Sequence, residues 1–226
     1  MCGRVRLPTE WSQIKIRLRF DDRFAAPNLK PSWNIAPTDP MLTAIRDPET
    51  GTRRPVIMHW GLIPSWSKEG KLKYPTFNAR AETVSTTATF KGAWKAGHRC
   101  LVVTDGFYEW RKPDKQPFAI ACMGGALTVM AGLWDEWKSP QGERIKSCTI
   151  ITTDANDLLM PIHDRMPVIL NPTDWPKWLG EELAHESELK ALLGPYPSTG
   201  LHLWPVSKRV GNVKNNDASL DEPVPL

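Results

Sequence analysis

The feature that most constrains this chain is a succession of short apolar or β-branched runs cut apart by proline and glycine. MLTAI (41–45), PVIMHW (55–60), CLVVT (100–104), PFAIAC (117–122), LTVMAGLW (127–134), CTIITT (148–153) and PVIL (167–170) are all brief and bounded by turn residues. They read as strands. Helical spacing is rarer. TEWSQIKIRLRF (9–20) puts Trp11, Ile14 and Leu18 on one face behind a Thr9 cap, and weaker patterns lie near 83–96, 173–179 and 182–193. Helices so few and so irregularly placed do not supply repeated βαβ units. The expectation is an α+β fold: a single domain with a mostly antiparallel, barrel-like sheet and flanking helices. With 226 residues, one domain is expected over 1–215, followed by a flexible, polar, proline-containing tail at 216–226.

No stretch approaches the roughly 20 apolar residues of a membrane span, and the N-terminus lacks the apolar core of a signal peptide. A cytoplasmic protein with no membrane partner is expected, with a monomer as the default. The four cysteines have neither CxxC nor Cys/His spacing, so no metal and no cofactor is expected. Cys100, Cys122 and Cys148 lie in apolar runs, where a thiol packs as a small hydrophobe. Cys2 is different. At the frayed end of a chain burial is hard to arrange, so Cys2 asks for a chemical explanation.

Charge points to an anionic partner. Residues 51–100 carry nine Lys/Arg against Glu69 and Glu82, a net +7, whereas residues 151–226 carry six against eleven acids, a net −5. A local basic surface attracts a polyanion such as nucleic acid whatever the total charge, although a solvated basic face without a partner has the same composition. Eleven tryptophans are many for this length, and most serve packing. Trp66, beside Lys68, Lys71 and Lys73, is the candidate for stacking on an unpaired base; the plain alternative is an aromatic loop anchor.

Three stretches mix polar and charged residues with glycine, proline or aromatics at strand ends: FNARAET (77–83), DGFYEW (105–110) and PIHDRMP (161–167). Asn78 suits a turn as well as a site. Glu109 lies between Tyr108 and Trp110, where an aromatic setting raises a carboxyl pKa toward acid–base work, but a strand-edge Glu facing water is equally ordinary. His163 is a proton shuttle by type, and a lone loop histidine is commonly structural.

Taken in order, MCGR, WNIAP (33–37), WGLIPSW (60–66), FNARAET, DGFYEW, IHDRMP (162–167) and VGNVKN (210–215) resemble the SRAP family, the SOS response-associated peptidases, over nearly the whole chain. The resemblance implies sensing of abasic sites in single-stranded DNA. It implies that Met1 is removed and that Cys2 closes a thiazolidine on the ring-opened sugar aldehyde, which needs an amine and a thiol on adjacent carbons. By motif, Glu109 assists proton transfer, His163 assists sugar-ring opening, and Asn78 hydrogen-bonds the new ring. Thr152 is a weaker candidate for the same polar shell. Arg4, Arg80 and Arg165 fall where the family clamps phosphates, and Trp66 falls at its stacking position. Relatives often carry two adjacent tryptophans there, whereas Ser67 follows Trp66 here. Two other readings remain open: an N-terminal cysteine hydrolase acting on peptide or glutamine amides, and a noncatalytic reader of DNA structure.

Overall fold

In the computed structural model, residues 2–70 and 72–226 are described; Met1 and Lys71, both invoked above, lie outside the described residues. The apolar runs become the longer strands. In chain order the strands are β1 (Val5–Leu7), β2 (Ser32–Ile35), β3 (Pro40–Arg46), β4 (Arg53–Trp60), β5 (Asn78–Arg80) and β6 (Arg99–Thr104). They continue with β7 (Gly106–Trp110), β8 (Pro117–Cys122), β9 (Thr128–Lys138), β10 (Arg144–Asp154), β11 (Arg165–Pro167) and β12 (Leu201–Pro205). Among the described residues four short α-helices flank them: α1 (Trp11–Leu18), α2 (Lys91–Lys95), α3 (Trp175–Leu179) and α4 (Glu186–Ala191).

Strands β10, β4, β3, β6 and β9 form a closed five-stranded barrel, because β9 pairs again with β10; β5 and β11 attach to β10. The second sheet runs β12-β8-β7-β1-β2. Every pairing is antiparallel except those of β10 with β4 and β5, so the α+β, mostly antiparallel expectation holds. The larger apolar core joins the two sheets, drawing Val5 and Phe107 from one and Leu101, Val103 and Val129 from the other, with Cys2 packed into it. Cys100, Cys122 and Cys148 are buried free thiols, as their apolar settings implied.

The structure differs from expectation in several places. Within 83–96 only Lys91–Lys95 is helical, since Thr83, Val84, Thr86, Thr87 and Thr89 are β-branched and crowd a helical turn. PVIL contributes only Pro167 to β11, with Ile169 in an isolated bridge to Met130. Thr9 does not cap α1. Its amide and hydroxyl both donate to Asp105, at 2.8 Å each, and Glu10 takes the cap position without a side-chain bond.

The tail at 216–226 packs against the domain. Leu220 is fully buried, Asp221 pairs with Arg6 at 2.8 Å, and Trp204 Nε1–H donates to the Asp221 carbonyl at 2.7 Å. A single leucine anchor in a polar stretch gives no periodic signal, which is why the sequence suggested a loose end. Among the described residues no helix is long and apolar enough to cross a membrane.

Candidate active site

The N-terminus is threaded between strands. Val5 pairs with Phe107 and Arg6 with Gly106, and the Tyr108 amide donates to the Arg4 carbonyl at 2.9 Å. This antiparallel register runs Cys2 alongside the Glu109 end of β7. Strand alternation turns Phe107 and Glu109 to the same face, so a carboxyl occupies a core position: Glu109 is 3% exposed and Cys2 is fully buried. Burial raises the Glu109 carboxyl to about 7, with the nearby Asp164 charge adding to the effect. The Cys2 thiol is pushed well above the ordinary range, first by burial and then by the Glu109 charge. A buried carboxyl tuned to neutrality beside a thiol is an acid–base pair placed where packing alone would put a hydrophobe.

His163 lies in the loop before β11. Its Nδ1 accepts the Arg165 amide N–H at 3.0 Å, which leaves the ring proton on Nε2 in the neutral state. Asp164 Oδ1 also lies 3.0 Å from Nδ1, a contact that becomes an ion pair only when the ring is protonated. Burial holds His163 below the usual histidine range, and with the amide donor this favours the neutral ring. Lys112 Nζ bonds Asp164 at 3.2 Å, tying the segment after β7 to the His163 loop. The sequence reading did not single out Lys112 or Asp164; Asp164 stands inside IHDRMP, but its partner is 52 residues away.

Arg165 is 9% exposed and fully engaged at both terminal nitrogens. It makes a two-pronged pair with Glu82 at 2.6 and 3.0 Å, contacts Asp154 at 2.7 Å, and donates to the Thr152 carbonyl at 2.7 Å. Thr152 is fully buried, and its hydroxyl donates to the Ala79 carbonyl at 3.3 Å. It holds β10 to β5 rather than turning toward Cys2. Asn78 Nδ2 donates to the Phe77 carbonyl at 3.0 Å, while its buried Oδ1 has no hydrogen-bond partner among the described residues.

The remaining candidates divide by exposure. Arg80 is exposed. Arg4 is partly buried, donating to Asn34 Oδ1 at 2.8 Å and the Val210 carbonyl at 2.7 Å, with its guanidinium over Trp110. Asn34 is a hub the sequence hinted at only through WNIAP: its Nδ2 also reaches the carbonyls of Val210, Asn212 and Asn215. Trp66 is 56% exposed, with Lys68 and Lys73 on the same exposed loop region. Among the described residues no group of three or more His, Cys, Asp or Glu side chains is arranged to hold a metal ion.

The sequence profile of the family described as SOS response associated peptidase (SRAP) matches residues 1–213. The chain belongs to the SRAP family. One SRAP relative is the abasic site processing protein YoqW of Bacillus subtilis (strain 168), 38% identical over 225 residues covering 98% of this chain and 99% of YoqW. The abasic site processing protein HMCES of Xenopus tropicalis is 33% identical, over 96% of this chain and 76% of its own length. A solved structure from Bacteroides thetaiotaomicron superimposes with a TM-score of 0.86 at 24% identity, covering 99% of this chain and all of that one, a likeness of fold.

Proposed function

We propose that this SRAP protein captures abasic sites in single-stranded DNA through Cys2, once Met1 is removed. The observation that carries this reading is the burial of Cys2 against a carboxyl whose pKa is raised to about 7. The Cys2 amine adds to the C1 aldehyde of the opened deoxyribose, and the carbinolamine loses water to give an imine. The thiol then adds across the C=N bond: sulfur bonds to carbon, and the proton goes to nitrogen. Glu109, poised near neutrality, accepts the proton from the ammonium or thiol and returns it to the departing hydroxyl. His163, neutral with its proton on Nε2, assists opening of the sugar ring. Asn78 Oδ1 is a buried acceptor suited to the ring N–H.

Holding both reacting groups of Cys2 and the sugar in one place makes the second step effectively intramolecular. Phosphate contacts are assigned to Arg80, Arg4 and Arg165, and base stacking to Trp66. For Arg165, a phosphate oxygen takes the place of Asp154, the more exposed of its two acidic partners.

The test mixes the protein with single-stranded DNA containing one abasic site and resolves the products on a denaturing gel. A slower band is expected from the wild type and from neither Cys2→Ala nor a variant with a retained N-terminal extension. A band that persists in Cys2→Ala removes the mechanism. Glutamine or peptide hydrolysis without a band would favour the N-terminal hydrolase reading instead.

A further inference from the structure

The loop that carries Trp66 is gripped from below by one strand. β9 alternates along its last turns: Trp134, Glu136 and Lys138 lie toward solvent, while Asp135 and Trp137 are buried on the other face. Both of those buried side chains bind the loop. The Ser65 amide donates to Asp135 Oδ2 at 2.8 Å, and Trp137 Nε1–H donates to the Ser67 carbonyl at 2.6 Å. The two bonds flank Trp66 on either side in sequence. Gly70 closes the loop on the face of Trp137: its φ is +68°, and a Cβ there would stand 2.7 Å from the indole ring. Upstream, the Ile63 amide donates to Ser147 Oγ at 2.7 Å, anchoring the loop entry to β10.

Ser67 is consequently turned inward and buried, while the Trp66 indole beside it is exposed. An exposed indole on a free loop would lose conformational entropy on stacking, and a loop already fixed at both neighbours loses less.

We infer that Asp135 and Trp137 are positioning residues for DNA: they hold the 64–70 loop so that Trp66 is preorganised as a stacking platform. This rests on the assignment of Trp66 to base stacking above. Neither residue touches the reacting atoms, so their influence falls on docking of DNA and not on the covalent step.

The test is a single-turnover crosslinking series over protein concentration, read as a half-saturation concentration and a limiting rate constant. Trp66→Ala is expected to raise half-saturation roughly 5- to 100-fold. Asp135→Ala and Trp137→Phe are each expected to raise it about threefold to tenfold with the limiting rate unchanged. Asp135→Asn, which keeps an acceptor for the Ser65 amide, should recover most of the loss. In the Trp66→Ala background, Asp135→Ala and Trp137→Phe should add nothing further.

An unaltered half-saturation in Trp66→Ala would sink the stacking assignment itself. A Trp66→Ala effect with additive losses from the β9 variants, or β9 losses confined to the limiting rate, would overturn the positioning role while leaving stacking intact. Trp137→Phe keeps an aromatic side chain on β9 while removing the Nε1–H donor and the outer indole carbons that meet Gly70, so the inference stays testable if Asp135→Ala does not fold.

Discussion

Glu109 carries two consequences of one placement. A carboxyl whose pKa rises from 4.5 to about 7 on folding keeps its proton in the native state over a range where the unfolded chain has released it. Its contribution to stability is therefore complete below about pH 4.5 and is lost as pH climbs through about 7, on the order of 3 kcal/mol in all. Glu109→Gln removes that titration, so the variant should gain on the wild type between pH 5 and pH 8 in denaturant unfolding. Parallel pH profiles for the two proteins would mean that the carboxyl does not titrate from a buried site. The arginines separate by a different measurement. Arg80→Gln should lower the slope of log affinity against log salt by about 0.7, as the loss of one phosphate contact to a single strand does. Arg165→Gln should lower it similarly and also strand Glu82 and Asp154 without their cation, so its binding loss comes with a lower melting temperature, whereas that of Arg80→Gln does not. Motif spacing made each of these residues visible in the sequence. Burial decides the state of Glu109, with Asp164, 55 positions away, adding to it, and Glu82, 83 positions from Arg165, pairs with that cation; none of these leaves a local signal.

Among the secondary-structure elements, the long apolar strands were legible and the short functional ones were not. β3, β4, β6, β8, β9 and β10 follow hydrophobic runs, whereas β1, β5 and β7 carry Arg, Asn or Glu at positions where a strand pattern asks for apolar residues. The candidate site draws Asn78, Arg80 and Glu109 from those interruptions, so the polar residues that mark it also hide the strands that hold it. Gly106 illustrates the constraint on β7. A Cβ on Gly106 would run into the Ile120 carbonyl and stand 3.0 Å from Arg6 Nη2, so Gly106→Ala must push β7 away from β8 or displace the Arg6 head. Overpacking of this kind costs about 1–3 kcal/mol, and it moves Glu109, three residues on. A melting temperature lowered by several degrees together with slower crosslinking at saturating DNA is expected; a stable variant with wild-type rates would show that β7 has slack the geometry does not suggest.

At the scale of the molecule, the two ends of the chain meet on one strand. β1 follows directly from Cys2, and its Arg6, 6% exposed, takes Asp221 as its anion, with Trp204 beneath its guanidinium and Leu220 buried beside Val206 and Val210. Removing 216–226 therefore leaves a buried cation unpaired and strips cover from an apolar cluster, a combination that costs on the order of 3–5 kcal/mol. A chain ending at residue 215 should melt about 6–20 °C lower in calorimetry, and because β1 also positions Cys2, it should crosslink abasic DNA more slowly even where it remains folded. Asp221→Asn, which keeps the packing and the backbone bond from Trp204, should recover the larger part of the stability. Were the truncated chain to match the full chain in both melting and rate, the segment would be the loose tail that its composition suggests, and the docked C-terminus would have no part in holding the N-terminal cysteine in place.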